Sequence, residues 1–99
     1  MKLFVVVKKT LAAGLYAAQA IHAFRAFVGE YPVLEAFWHE EHNNIVVLQD
    51  DDIERLVERL RAAGFRLSTF REPDLDNELT AICVEPNARR ALSNLSLAT

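Results

Sequence analysis

Three stretches of the chain carry residues that could do chemistry. The first is Lys8-Lys9-Thr10, which follows an apolar run and precedes a helical period. Two ammonium groups beside a helix start suit a phosphate, because the first backbone N–H groups of a helix lack partners and the helix dipole is positive there. Open α/β sheets also take their ligands at the carboxyl ends of the strands. The second is the helical stretch from Gly14 to Ala23. Gln19 and His22 lie three residues apart on it and so share a face. Both can hydrogen-bond backbone or ligand, and a histidine exchanges protons near neutral pH. The plainer role for such a pair on an apolar helix is to satisfy buried backbone groups. The third is Glu72-Pro73-Asp74-Leu75-Asp76-Asn77-Glu78, turn chemistry just before Thr80. Its acids could orient a water or hold a cation, although turn acids are more often only solvated.

Other candidates are weaker. His39 and His42 flank Glu40 and Glu41, but no third ligand follows at a metal-site spacing, so no metal is predicted. Cys83 stands inside an apolar run and reads as packing. As the single cysteine it can form no internal disulfide, which fits a reducing cytoplasm.

The elements that must position these groups follow from periodicity. Leu3 to Val7 is a β-branched apolar run, a strand covered on both faces. Leu11 to Gly29 is helical, with Ala17, Ile21, Phe24 and Val28 as its apolar stripe. Pro32 to about Glu41 is a second helix that buries Leu34, Phe37 and Trp38. Ile45 to Leu48 is a short strand. Asp52 to about Ala63 is a helix with Asp51 and Glu54 at capping-box spacing, Ile53, Leu56, Val57 and Leu60 inward, and Gly64 at its end. Phe65, Leu67 and Thr69 alternate with Arg66 and Ser68, which predicts a half-exposed strand. Leu79 to Val84 is the last strand, and Asn87 caps a short helix through Leu92. The order is β-α-α-β-α-β-β-α. The long crossovers favour parallel pairing and the short last connection a hairpin. The predicted fold is therefore α/β, one domain over residues 1–99, a mixed four-stranded sheet with helices on both faces.

Composition sets outer bounds. Ninety-nine residues fit one domain, and 52% hydrophobic residues suffice for a core. No apolar run approaches the roughly 18 residues of a membrane helix. The start, MKLFVVVKKT, reads as a strand and not as a signal peptide. The net charge of −3 is not that of a dedicated nucleic-acid binder, so any such binding would need a local basic patch.

VVVKK, then AAQAIHAF, then IVVLQDDDIERLVERLRAAG, then LTAICVEP, in this order, resembles the type-2 peptidyl-tRNA hydrolases. The Ala17-Ala18-Gln19-x-x-His22-Ala23 stretch carries the likeness best. The resemblance implies a cytoplasmic, usually dimeric enzyme that needs no cofactor and hydrolyses the ester between a peptide and the tRNA 3′ end. It implies Thr80, His22 and Glu72 as catalytic residues and Lys8 and Lys9 as tRNA contacts, with Gly14, Gln19 and Asp74 in support. An alternative is a non-catalytic tRNA-binding or regulatory domain of the same fold. The chain departs from the family at Leu15, where a glycine-lysine pair would place its lysine. It is also about two residues short before the first helix, and it lacks the family's Asp-Ala-Gly-x-Thr loop before the last strand.

Overall fold

The computed structural model describes residues 1–41 and 43–98. His42, one half of the weak histidine pair, lies outside them. The chain runs β1 (Lys2–Lys8), α1 (Ala13–Glu30), α2 (Pro32–Glu41), β2 (Asn44–Asp50), α3 (Ile53–Ala62), β3 (Leu67–Glu72), β4 (Glu78–Val84) and β5 (Ser96–Leu97), with short 3-10 turns at Pro73–Leu75, Pro86–Ala88 and Arg90–Leu92. The sheet order is β3-β4-β1-β2-β5. β1 pairs parallel with β2, and the β1–β4, β3–β4 and β2–β5 pairs are antiparallel.

The α/β class and the mixed sheet are as predicted, but the sheet has five strands where four were expected. The fifth, Ser96–Leu97, is two residues long and leaves no periodic trace in the sequence. It adds to β2 through Leu48 and Gln49. The predicted last helix is two 3-10 turns instead. Asn87 does not cap it: its amide donates to Glu85 Oε1 at 3.2 Å. The buried Glu85 also accepts from the Arg66 backbone N–H at 2.6 Å, which ties the end of β4 to the start of β3.

β1 divides the core. Leu3, Val5 and Val7 face α1 and α2, while Phe4 and Val6 face α3. α3 packs the predicted stripe of Ile53, Leu56, Val57 and Leu60. Its N-cap is Asp52, not Asp51, and the Asp52 carboxylate accepts from the Arg55 N–H at 3.1 Å. Gly64, at φ +86°, ends the helix: its N–H reaches Arg61 O and the Phe65 N–H reaches Leu60 O. That pairing satisfies two orphan carbonyls and needs the left-handed conformation that glycine adopts without strain.

α1 presents a different stripe from the one predicted. Gln19, Ala23 and Phe27 are buried, while Ala17 is exposed and Ile21 is 66% exposed. α1 lies over β3, β4 and β1, where small Ala23 allows close approach and Gln19 has a partner on the sheet. Apolar periodicity alone could not find a face with a polar residue at its centre. On α2 only Trp38 is fully buried, edge-on to Phe24 with its Nε1–H on Asn44 O at 2.6 Å. Phe37 is 57% exposed, against expectation, because adjacent positions on a helix point about 100° apart and Trp38 takes the inward one. β3 is not half-exposed: Leu67 packs toward α3, and Ser68 is buried beneath α1.

Candidate functional site

The candidate site gathers around a break in the β3–β4 ladder. Phe70 pairs with Ala81 and Arg71 with Leu79, so Thr80 is an extra residue on β4, a β-bulge. Without the bulge, strict alternation would put Thr80 and Ile82 on one face. With it, Leu79 joins Ile82 on the α3 side, and Thr80 turns toward α1 with Ala81. There its hydroxyl donates to Gln19 Oε1 at 2.5 Å. Both side chains are fully buried.

His22, one turn beyond Gln19, is exposed and stacks on Phe70 of β3, with ring centroids 4.5 Å apart and planes at 13°. Gly14 is exposed in the first turn of α1, and a side chain added there would meet open space. Leu15 beside it is half-buried. No side chain caps this helix start, and its first turn holds no acid.

Lys8 ends β1 opposite Asp50 of β2, and its ammonium is paired with Glu78 at the start of β4. Glu78 stands opposite Glu72 in the β3–β4 ladder. Lys9 is exposed, its backbone N–H on Asp50 O. Asp74 sits in the 3-10 turn of the hairpin, exposed to solvent. The rim at this end of the sheet thus reads Glu72, Glu78, Lys8, Asp50. The two lysines do not make a basic patch, because one is neutralised and acids flank both. Beside them Tyr16 Oη donates to Gln49 Oε1 at 3.4 Å, and Gln49 Nε2 donates to Ser96 Oγ at 3.1 Å, linking α1 to β2 and β5. Burial raises the Tyr16 phenol above its ordinary pKa, so it stays a neutral donor.

The structure thus brings Gln19 and Thr80 together and sets Lys8 and Glu72 on either side of Glu78. It holds His22 apart on Phe70 and Asp74 out in solvent. Glu78 was indistinguishable in sequence from its acidic neighbours, since only the hairpin register selects it. Cys83 is buried, and burial pushes its thiol pKa well up, against a smaller opposing effect of the hydrogen bond with Val84 backbone. Among the described residues no cluster of histidine, cysteine and carboxylate side chains could hold a metal ion. No described helix is long and apolar enough to cross a membrane. No protein-family model matches the chain, and no curated protein matches it.

Proposed function

We propose that this domain acts on peptidyl-tRNA as a hydrolase-like protein, splitting the ester between the peptide and the tRNA 3′ end at reduced rate. One observation carries the reading. Thr80, which the family resemblance implies as catalytic, and Gln19, which it implies in support, meet through a strand bulge although they lie 61 positions apart in sequence. In the reaction a water attacks the ester carbonyl and the bond to the ribose oxygen breaks. The peptide leaves as a carboxylate and the tRNA regains its 3′ hydroxyl. In this reading Glu72 takes the water proton, and Lys8, once released from Glu78, supplies positive charge to the tetrahedral oxyanion. Gln19 and Thr80 position the β4 backbone beneath them. His22, open to solvent on its Phe70 platform, lines the approach.

A second reading is a non-catalytic tRNA-binding or regulatory domain of the same fold. The first turn of α1 favours it, because leucine stands at position 15 and no cation is offered there. Self-association as a homodimer and a cytoplasmic setting go with either reading. Exposed Val33 and Phe37, one turn apart on α2, suit the first, and the free thiol of Cys83 suits the second.

The test is release of peptide from a peptidyl-tRNA with a blocked amino end, with Glu72→Gln and Thr80→Val as controls. Slow turnover that Glu72→Gln abolishes supports the hydrolase. Binding of tRNA with no turnover supports the second reading, and absence of both removes the two together.

A further inference from the structure

β3 is an edge strand: it pairs with β4 on one side and, among the described residues, with no strand on the other. Arg66 O accepts from the Glu85 N–H and Glu72 O from the Asn77 N–H, so the even-numbered residues turn their backbone groups toward β4. The odd-numbered ones, Leu67, Thr69 and Arg71, turn theirs outward. The bulge does not disturb this alternation, because its extra residue is on β4. One group among the described residues meets the outer row: Tyr31 Oη donates to Leu67 O at 3.4 Å. The strand holds no proline, and its two charges stand together at one end. A strand edge left in this state is a template for another strand.

The strand is also complementary to itself. Turned antiparallel about Thr69, a second copy brings its Glu72 opposite Arg66 and its Arg71 opposite Leu67. In that register the outward backbone groups of one copy meet the outward groups of the other. The charges fit as well. Glu72 stands opposite Glu78 in the β3–β4 ladder, and like charges so placed repel. Lys8 neutralises Glu78 from one side, and among the described residues no cation pairs with Glu72. Arg66 is exposed and also in no ion pair, even with Glu30, which lines the same cavity.

We propose that β3 binds β3 of a second copy, antiparallel about a twofold axis at Thr69, and so joins the two sheets into one. The partner's Arg66 then enters the rim of the candidate site, and the acid pair Glu72 and Glu78 has a cation at each end. The partner's Leu75, exposed in the turn after Glu72, is carried toward the apolar cavity of about 440 Å3 that Tyr31, Val33, Leu34 and Phe37 line beside Arg66. Each copy offers both strand and cavity, as an isologous contact requires. The inference rests on the self-association put forward above and not on the hydrolase chemistry.

A charge swap tests it. Arg66→Glu, Glu72→Arg and an equal mixture of the two are compared with wild type by sedimentation at low salt. In either variant alone, like charges meet at both ends of the paired strands, and the dimer Kd should rise by about tenfold or more. In the mixture each end joins an acid to a base, and a heterodimer of near wild-type affinity should form. Thr69→Pro removes only an outward N–H and should give a monomer whose dispersed 15N spectrum verifies the fold. In the wild-type dimer the Thr69 amide should exchange slowly with solvent. If a variant does not fold, that amide decides: protection supports the contact, and exchange at the rate of an open edge overturns it. A dimer that survives every variant overturns the β3 contact and leaves self-association to Val33 and Phe37. Weakening by both variants without recovery in the mixture overturns the register. A wild-type monomer overturns the contact and the self-association together, and none of these results bears on turnover of peptidyl-tRNA.

Discussion

Thr80 reaches Gln19 only because one residue of β4 has no partner on β3. A buried polar pair of this kind adds little net stability but is costly to break, because the survivor is left unsatisfied. Thr80→Val should destabilise the fold by about 1–3 kcal/mol, and Gln19→Leu by a similar amount. The double variant should cost less than the sum of the two, since it leaves neither group orphaned. Urea unfolding of the four proteins measures this. Strict additivity would mean that the two side chains do not interact.

The proposed hydrolase reading asks for a cation in the first turn of α1, where Leu15 stands. Leu15→Lys places an ammonium beside the uncapped helix start. An oxyanion stabiliser is typically worth about 10²–10³ in rate. Turnover of blocked peptidyl-tRNA should rise by that order if the remaining groups are competent. An unchanged low rate, with tRNA still bound, would favour the binding-domain reading.

The α3 face should respond as a packed core does. Leu56→Ala is expected to cost about 2–5 kcal/mol. Glu58→Ala, on the exposed side of the same helix, should stay within about 0.5 kcal/mol. Thermal or urea midpoints check both, and equal midpoints for Leu56→Ala and wild type would place this face in solvent.

Cys83 should be inert to thiol reagents at neutral pH until the protein unfolds, because the folded state holds it as the neutral thiol. The same shift has a sign. Above the ordinary thiol range, near pH 8.5, the unfolded chain loses this proton while the folded chain keeps it. Stability should then fall with rising pH, by at most about 1.4 kcal/mol per unit from this group. Below that range it contributes no pH dependence. Cys83→Ala should flatten the alkaline limb of the stability curve.

Light scattering at micromolar concentration should report a dimer, and Val33→Ser/Phe37→Ser should report a monomer of unchanged fold. A monomer mass for the wild-type chain refutes the association.

Much of the architecture was legible in the residues. The β1 run and the α3 stripe with Gly64 at its end appear at their predicted places, because each is a local pattern that burial then uses. The α1 stripe was not legible, since its buried face is organised around Gln19, a residue that periodicity scores as polar. β5 is held by two residues of pairing, and no local rule announces so short a strand. The candidate residues themselves stood out by type. Their relations did not. That Glu78 neutralises Lys8, or that Thr80 turns inward, depends on hairpin register and a bulge, which are properties of two strands at once. Arg55 and Arg59 read in sequence as ordinary solvated helix residues, and only the fold brings Asn94 and Asp50 to a cleft that they line.

β1, near the start of the chain, is the central strand, hydrogen-bonded to β2 on one side and to β4 on the other. Its five middle residues, Leu3 to Val7, are buried. A chain emerging from the ribosome therefore exposes this apolar strand before either neighbour exists and can cover its second edge only after Val84 has been made. Contacts that far apart in sequence slow folding and lengthen the life of an open, sticky edge. Nascent chains halted between α3 and β4 should be the species that chaperones hold and proteases clear.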